Sequence, residues 1–176
     1  IDRTDYLGLH PEARLEAHFM SPALRAARAS GRAALMALDY RGIARFCLEG
    51  PAPDVAIAQL TSPDADGWCS AGLSADFMPL VWPRAGRRVA HLNPRLPRTR
   101  GSFRVHVSEI DLAVEADAQP LTFADGTASA LEATIGAHVA ALVQDGDTLQ
   151  FGIGALPVAL GHALKHHRRL RLHGGM

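Results

Sequence analysis

Residues 148–173 read TLQF-GIGALP-VALGHALKHHRR-LRLH, and the fold turns on this stretch. Thr148 to Phe151 is short and largely apolar, which suits a strand. Gly152 and Gly154 stand one residue apart and make a loop. Pro157 fits the first turn of a helix, where a missing N–H costs no hydrogen bond. The run VALGHALKHHRR is helical and ends in positive charge, which favours a helix C-terminus. Leu170 to His173 is the next strand. Strand, glycine loop, helix and strand make a βαβ unit, and such crossovers build parallel sheets. The expected class is α/β, an open and mostly parallel sheet with helices on its faces.

Upstream, Leu131, Ile135, Val139 and Leu142 fall at helical spacing on one face, and the segment QDGD stops that helix. Asp54 to Leu60 (DVAIAQL) is apolar almost throughout and bounded by turn residues, so a strand covered on both faces is expected. LVW and RRVAHLN, within residues 80–93, read as strand pieces, and TSPDADGWCSAG as a loop. RVHVSEIDLAVEAD holds two β-rich runs joined through Ser108 and Glu109. Ser21-Pro22 reads as an N-cap with proline at the first helical position, and Gly31 as the stop of that helix. AALMALDY suits a short buried strand, and RGIARFCLEG a helix of one or two turns. The opening residues, IDRTDYLGLHPEARLEAHF, lack a clear first element.

The 176 residues suffice for one domain with a core, and 48% hydrophobic with 20% charged residues is ordinary for a globular chain. Lys+Arg and Asp+Glu balance at 18 each, so bulk charge gives no reason to expect nucleic acid or a membrane surface. No apolar run approaches a membrane span. Cys47 and Cys69 form no CxxC pair, and two cysteines make no disulfide framework, so a reducing cytoplasm is the default expectation.

The glycine loop leads into a helix N-terminus, which offers free N–H groups and a positive dipole end. That suits a phosphate, a carboxylate or a developing oxyanion. A dinucleotide fingerprint needs a third glycine, and Pro157 does not supply the close packing that glycine gives. A tight turn without ligand stays equally open on the motif alone. His166 and His167 are neighbours that point apart on a helix, so no metal is expected. His106 and His173, in β-rich stretches, read as satisfied core or edge residues. Arg84, Arg87, Arg88, Arg95, Arg98, Arg100 and Arg104 make a locally basic region, either a groove for phosphates or carboxylates or a solvated loop. Glu109 and Asp111 are candidate acid–base groups, but a capping or loop-bonding role is the commoner one. Cys69 and the serines around it carry no nucleophile elbow.

Taken in order, residues 53–77 (PDVAIAQLTSPDADGWCSAGLSADF), 93–101 (NPRLPRTRG), 106–117 (HVSEIDLAVEAD), 145–160 (DGDTLQFGIGALPVAL) and 170–176 (LRLHGGM) resemble the acetyl-CoA hydrolase/transferase family. That family includes acetate, succinate and 4-hydroxybutyrate CoA-transferases. The resemblance runs from about residue 18 to the end. It implies that residues 1–176 are a single α/β domain, most of the N-terminal domain of a longer two-domain chain but without that domain's first strand–helix unit. It implies that Gly152, Ile153, Gly154, Ala155 and Leu156 contact coenzyme A. It also implies an acyl-CoA and a small carboxylate as reactants, a second domain of the same chain as partner, and a possible homo-oligomer.

The chemistry implied is ping-pong covalent catalysis. A glutamate attacks the acyl-CoA carbonyl to give a mixed anhydride, and the released thiolate converts this to a glutamyl-CoA thioester. An acceptor carboxylate then collects the CoA, or water intercepts the intermediate. In the family that glutamate follows the next strand, in a stretch like His-Ser/Thr-Glu-Met. Here the matching residues are His173, Gly174, Gly175 and Met176, so Gly175 occupies the glutamate position. The expected function is thus CoA transfer or acyl-CoA hydrolysis on a short-chain acyl-CoA, with another group as nucleophile or with water activated directly. The alternative is a catalytically silent CoA-binding or assembly domain.

Overall fold

The computed structural model describes residues 5–120, 122 and 128–174. The chain divides into two compact units, Ile1–Ala118 and Gln119–Met176.

In the first unit, β1 (Leu15–Ala17) pairs in parallel with β2 (Ala33–Leu35). Between them lie a 3-10 turn at Pro22–Leu24 and the short helix α1 (Arg25–Ala29). Ser21 takes extended N-cap geometry but makes no side-chain cap bond. Gly31, at φ +73°, ends the segment in a conformation that L side chains rarely adopt. Helix α2 (Tyr40–Glu49) is longer than the one or two turns expected. It begins on Asp39, whose Oδ1 accepts the Gly42 N–H at 2.7 Å.

The central sheet has the order β3 (Val55–Leu60), β5 (Arg87–Leu92), β7 (Leu112–Glu115), parallel throughout. A short antiparallel pair, β4 (Trp68–Ser70) and β6 (Arg104–His106), packs against one face of it. That face is small: Ala56, Ala58 and Ala90 lie beneath Cys69, Val105 and the fully buried Trp82. A floor of alanines gives a bulky indole room to close the core without strain.

Three expectations change here. Strand β3 is covered on one face only: its burial alternates, with Val55 and Ile57 (68% exposed) pointing away from the core. In register, Ile57 lies beside Val89 and Leu112 on that same outer face. An unbroken apolar run does not distinguish a strand with two covered faces from one with a single covered face and an apolar outer face. Second, LVW is helical rather than extended, forming α3 (Met78–Val81) and a 3-10 turn at Trp82–Arg84. Prolines 79 and 83 sit in the first positions of these turns, where they are tolerated. Trp68 to Ser70, read as loop, is strand because the partner β6 comes from far along the chain.

In the second unit, α4 (Ala130–Ala140) opens on a capping box in which Ser129 and Glu132 each bond the other's backbone N–H. The 144–147 turn then leads into β8 (Thr148–Phe151). Gly146, at φ +91°, donates to the Arg168 carbonyl, and Asp145 accepts the Arg168 N–H. Helix α5 (Ala155–Ala163) carries the chain back to β9 (Arg171–Gly174), which pairs in parallel with β8. This is the expected βαβ unit. Helix α5 ends at Ala163, so His166 and His167 lie just beyond it.

The α/β class holds. Among the described residues the pairings are parallel except β4–β6, and they are distributed over four small sheets.

Candidate functional site

Strand β8 ends at Phe151, and Gly152-Ile153-Gly154 turns the chain into α5. Gly154 is the N-cap, at φ +123° and ψ −179°, a region open essentially to glycine alone. It has no side chain to cap the helix, so the first N–H groups of α5, at Ala155 and Leu156, have no intrahelical acceptor. The first intrahelical bond reaches Gly154 O from Val158 N at 3.3 Å. Pro157, at the third helical position, contributes no donor.

The two glycines are not spent on packing. A Cβ built on Gly152 or Gly154 meets nothing within 4 Å. Ile153 is 75% exposed and Leu156 half-exposed. Close helix approach occurs elsewhere. A Cβ on Gly136 of α4 would lie 3.1 Å from the Ala159 carbonyl carbon of α5. The tight turn and the packing of the next helix are therefore separate features, and the loop presents open space above a helix N-terminus. The α4 face expected to be buried is also revised. Leu131, Ile135 and Val139 are exposed to varying degrees, while Gly136 and Ala140 are buried against α5. Small residues win that contact because they let two backbones approach.

The other candidates resolve into structural roles. Glu109 closes a capping box: its Oε1 accepts the His106 N–H at 3.0 Å. Asp111 accepts the Arg88 N–H at 2.7 Å. His106 bonds Ser108 Oγ and the Asp66 carbonyl, and packs edge-on against Trp68. His173 lies on β9, and His167 bonds the Val143 carbonyl through Nε2. Cys69 is fully buried, and burial above all pushes its thiol up, away from the reactive thiolate. Cys47 is raised for the same leading reason, with Asp76 adding to it. Gly175 lies outside the described residues.

Arg87 is exposed at the start of β5, and the other six arginines of the basic region divide in two. Arg84 donates to the Cys47 and Gly50 carbonyls, Arg88 to the Trp82 and Pro83 carbonyls, and Arg95 pairs with Asp117. These guanidiniums hold the fold. Arg98, Arg100 and Arg104 instead line one open cavity of about 540 Å³ with Asp64, Thr99 and Ser102. Arg98 clamps the 62–68 loop through Asp64 (3.3 Å), the Ser62 carbonyl (2.8 Å) and the Trp68 carbonyl (3.1 Å). Arg104 lies over the Trp68 ring at 4.8 Å. Asp64 accepts the N–H of Trp68 at 2.8 Å. That bond first, with Arg98, the Asp66 N–H and Arg104, holds its carboxyl below the usual range. The sequence showed the arginines but not which of them converge, because the clamp partners lie some 30 residues away.

The second unit is thus a parallel β–glycine loop–α–β unit, and the first is an α/β unit that carries the arginine-lined cavity. No protein-family model matches the chain. It is 36% identical over 170 residues to the 4-hydroxybutyrate coenzyme A transferase of Clostridium kluyveri, covering 96% of this chain and 40% of that protein. It is likewise 36% identical over 185 residues to a succinyl-CoA:acetate/propanoyl-CoA:succinate CoA transferase of Fasciola hepatica, covering 96% and 37%. Among solved structures, the 4-hydroxybutyrate CoA-transferase of Porphyromonas gingivalis superposes with a TM-score of 0.75 at 27% identity, over 95% of this chain and 44% of that one. RipA of Yersinia pestis superposes with a TM-score of 0.78 at 25% identity, over 89% and 38%. The chain belongs to the acetyl-CoA hydrolase/CoA-transferase family, and it spans 37% to 40% of the length of these curated relatives.

Among the described residues no helix is long and apolar enough to cross a membrane. No group of three His, Cys, Asp or Glu converges as a metal site there either.

Proposed function

We propose that this chain is part of a CoA-transferase that moves coenzyme A between a short-chain acyl-CoA and a carboxylic acid. The observation that carries this reading is the loop Gly152–Leu156. Its glycines face open space, one of them holds a conformation reserved for glycine, and it heads a helix within a parallel βαβ unit. In this reading Gly152, Ile153, Gly154, Ala155 and Leu156 contact coenzyme A. Their backbone N–H groups polarise the thioester oxygen or hold an anionic part of the ligand. The similarity to CoA-transferases along 96% of the chain supports it.

Residues 1–176 form, in this reading, one part of a larger catalytic unit completed by a second domain and able to assemble as a homo-oligomer in the cytoplasm. Because Gly175 has no nucleophile, the carboxylate that attacks the thioester comes from elsewhere, or water is activated directly and the enzyme is a hydrolase. The same glycine motivates a second reading, a silent CoA-binding or assembly domain.

The test is incubation of the full protein with acetyl-CoA and a carboxylate acceptor, followed by borohydride or hydroxylamine trapping and intact-mass analysis. Transfer with a CoA adduct on a carboxylate supports the covalent route. Thioester cleavage without an adduct supports the hydrolase. Binding without turnover supports the silent domain. No binding of CoA by a folded protein with its glycines intact removes all three.

A further inference from the structure

We propose that the cavity formed by Asp64, Arg98, Thr99, Arg100, Ser102 and Arg104 is a binding site for a compact doubly charged oxyanion, a phosphate or a dicarboxylate. The charge is the first reason. The chain as a whole is neutral, yet three guanidiniums face this one cavity against the single carboxylate of Asp64. That carboxylate is already held by Arg98 and two backbone N–H groups. Among the described residues neither Arg100 nor Arg104 closes an ion pair, and Arg104 acts only at longer range on the same Asp64 carboxylate, so three guanidiniums share one anion.

Preorganisation is the second reason. Arg98 is fixed by its three acceptors and Arg104 by the face of Trp68. A guanidinium positioned beforehand loses less side-chain freedom when an anion arrives, so more of the charge-assisted bonding appears as affinity. The connecting loop is itself tied down, since Thr99 Oγ1 donates to the Gly72 carbonyl at 2.6 Å. Gly101, at φ +75° with nothing within 4 Å of a Cβ, turns the chain at the cavity rim. Size is the third reason. A cavity of about 540 Å³ admits a phosphate or a small diacid with room to spare but not an entire acyl-CoA.

Anion binding here goes beyond the proposed function, and only the source of the anion rests on that reading. Under it, the anion is either a phosphate group of the acyl-CoA or a carboxylate of the acid.

The experiment titrates the full protein with inorganic phosphate, succinate, acetate and CoA at constant ionic strength, reading the amide shifts of residues 98–104 by NMR. Phosphate and succinate should give saturable shifts confined to that loop and its Trp68 neighbours, with acetate several-fold weaker as a monoanion. Arg100→Gln should weaken both by about fivefold, and the Arg100→Gln/Arg104→Gln pair by about tenfold or more. Arg45→Gln, an exposed arginine paired with Glu49 on α2, should change neither. Among the described residues Arg100 closes no ion pair and stacks on no ring, so its variant reads binding even if Arg104→Gln loosens Trp68. Displacement of phosphate by CoA identifies the acyl-CoA as the source, and displacement by the acid alone identifies the acid. Shifts that never saturate, that spread over exposed cations generally, or that survive the double variant overturn the site. Phosphate binding at the loop in a protein that never transfers CoA leaves this site standing and removes the transferase reading.

Discussion

Gly152 and Gly154 separate the demands of the fold from those of a ligand. In Gly154→Ala the added Cβ meets nothing within 4 Å, so no clash contributes. The cost comes from φ +123° and ψ −179°. Holding a non-glycine residue there costs about 1–3 kcal/mol. The reduced freedom of the unfolded chain returns about 0.4–1 kcal/mol. The net loss is therefore about 0–2.6 kcal/mol, centred near 1 kcal/mol. Gly152→Ala meets the same open space without a positive φ, so its stability should stay within about 0.5 kcal/mol of the parent. Both tryptophans, Trp68 and Trp82, belong to the first unit, whereas the glycine loop belongs to the second. Amide exchange along α5 and β8, with far-ultraviolet circular dichroism in urea, reads it directly. Calorimetry with CoA then reads the ligand, and a methyl group in the space that CoA needs should weaken binding about tenfold in Gly152→Ala. Equal destabilisation by both variants would show that the loop serves folding alone. A stable Gly152→Ala protein that binds CoA as the parent does would show that the open space is not the ligand's.

Gly136→Ala sets helix propensity, which favours alanine by about 1 kcal/mol, against a Cβ placed 3.1–3.2 Å from the backbone of α5. Backbone cannot rotate away, so overpacking of about 1–3 kcal/mol wins, and urea denaturation should show a net loss of about 1 kcal/mol. Ser129→Ala removes half of the α4 capping box and should cost about 1 kcal/mol. The backbone and side-chain bonds of Ser129 also hold the Glu132 carboxyl below its ordinary value. The Glu132 contribution is thus present above its unfolded pKa, near 4.5, and lost as pH falls through the lower folded value; a carbon-13 titration should show Glu132 moving up in Ser129→Ala. Asn93 is fully buried, donates to the Ala118 carbonyl at 2.8 Å, and accepts the N–H groups of Arg95 and Ala118. Asn93→Ala leaves these groups without their partner, and thermal denaturation should show a loss of about 2–3 kcal/mol.

Local signals were legible where the chain makes its own contacts. The strand–glycine loop–helix–strand order of residues 148–173, the capping role of Glu109, and the two strands that flank Ser108 all follow from patterns a few residues long. Burial was not legible in the same way. Leu131, Ile135 and Val139 form the better apolar stripe on α4, yet Gly136 and Ala140 are buried, because contact distance between helices rewards small size. Likewise Ile57 and Ala58 are neighbours in one apolar run, and only the position of Trp82 and the β4–β6 pair decides which of them is inside.

The amino-acid order by itself determined the α/β class, the glycine loop at a helix start, and the absence of a glutamate at position 175. These are properties of covalent sequence and short-range conformation. Tertiary structure alone decided that the loop glycines face open space rather than a helix. It also decided that Arg84, Arg88 and Arg95 brace the fold, while Arg98, Arg100 and Arg104 share a cavity. Both outcomes depend on which distant backbone groups reach a side chain first, and chain proximity carries no record of that.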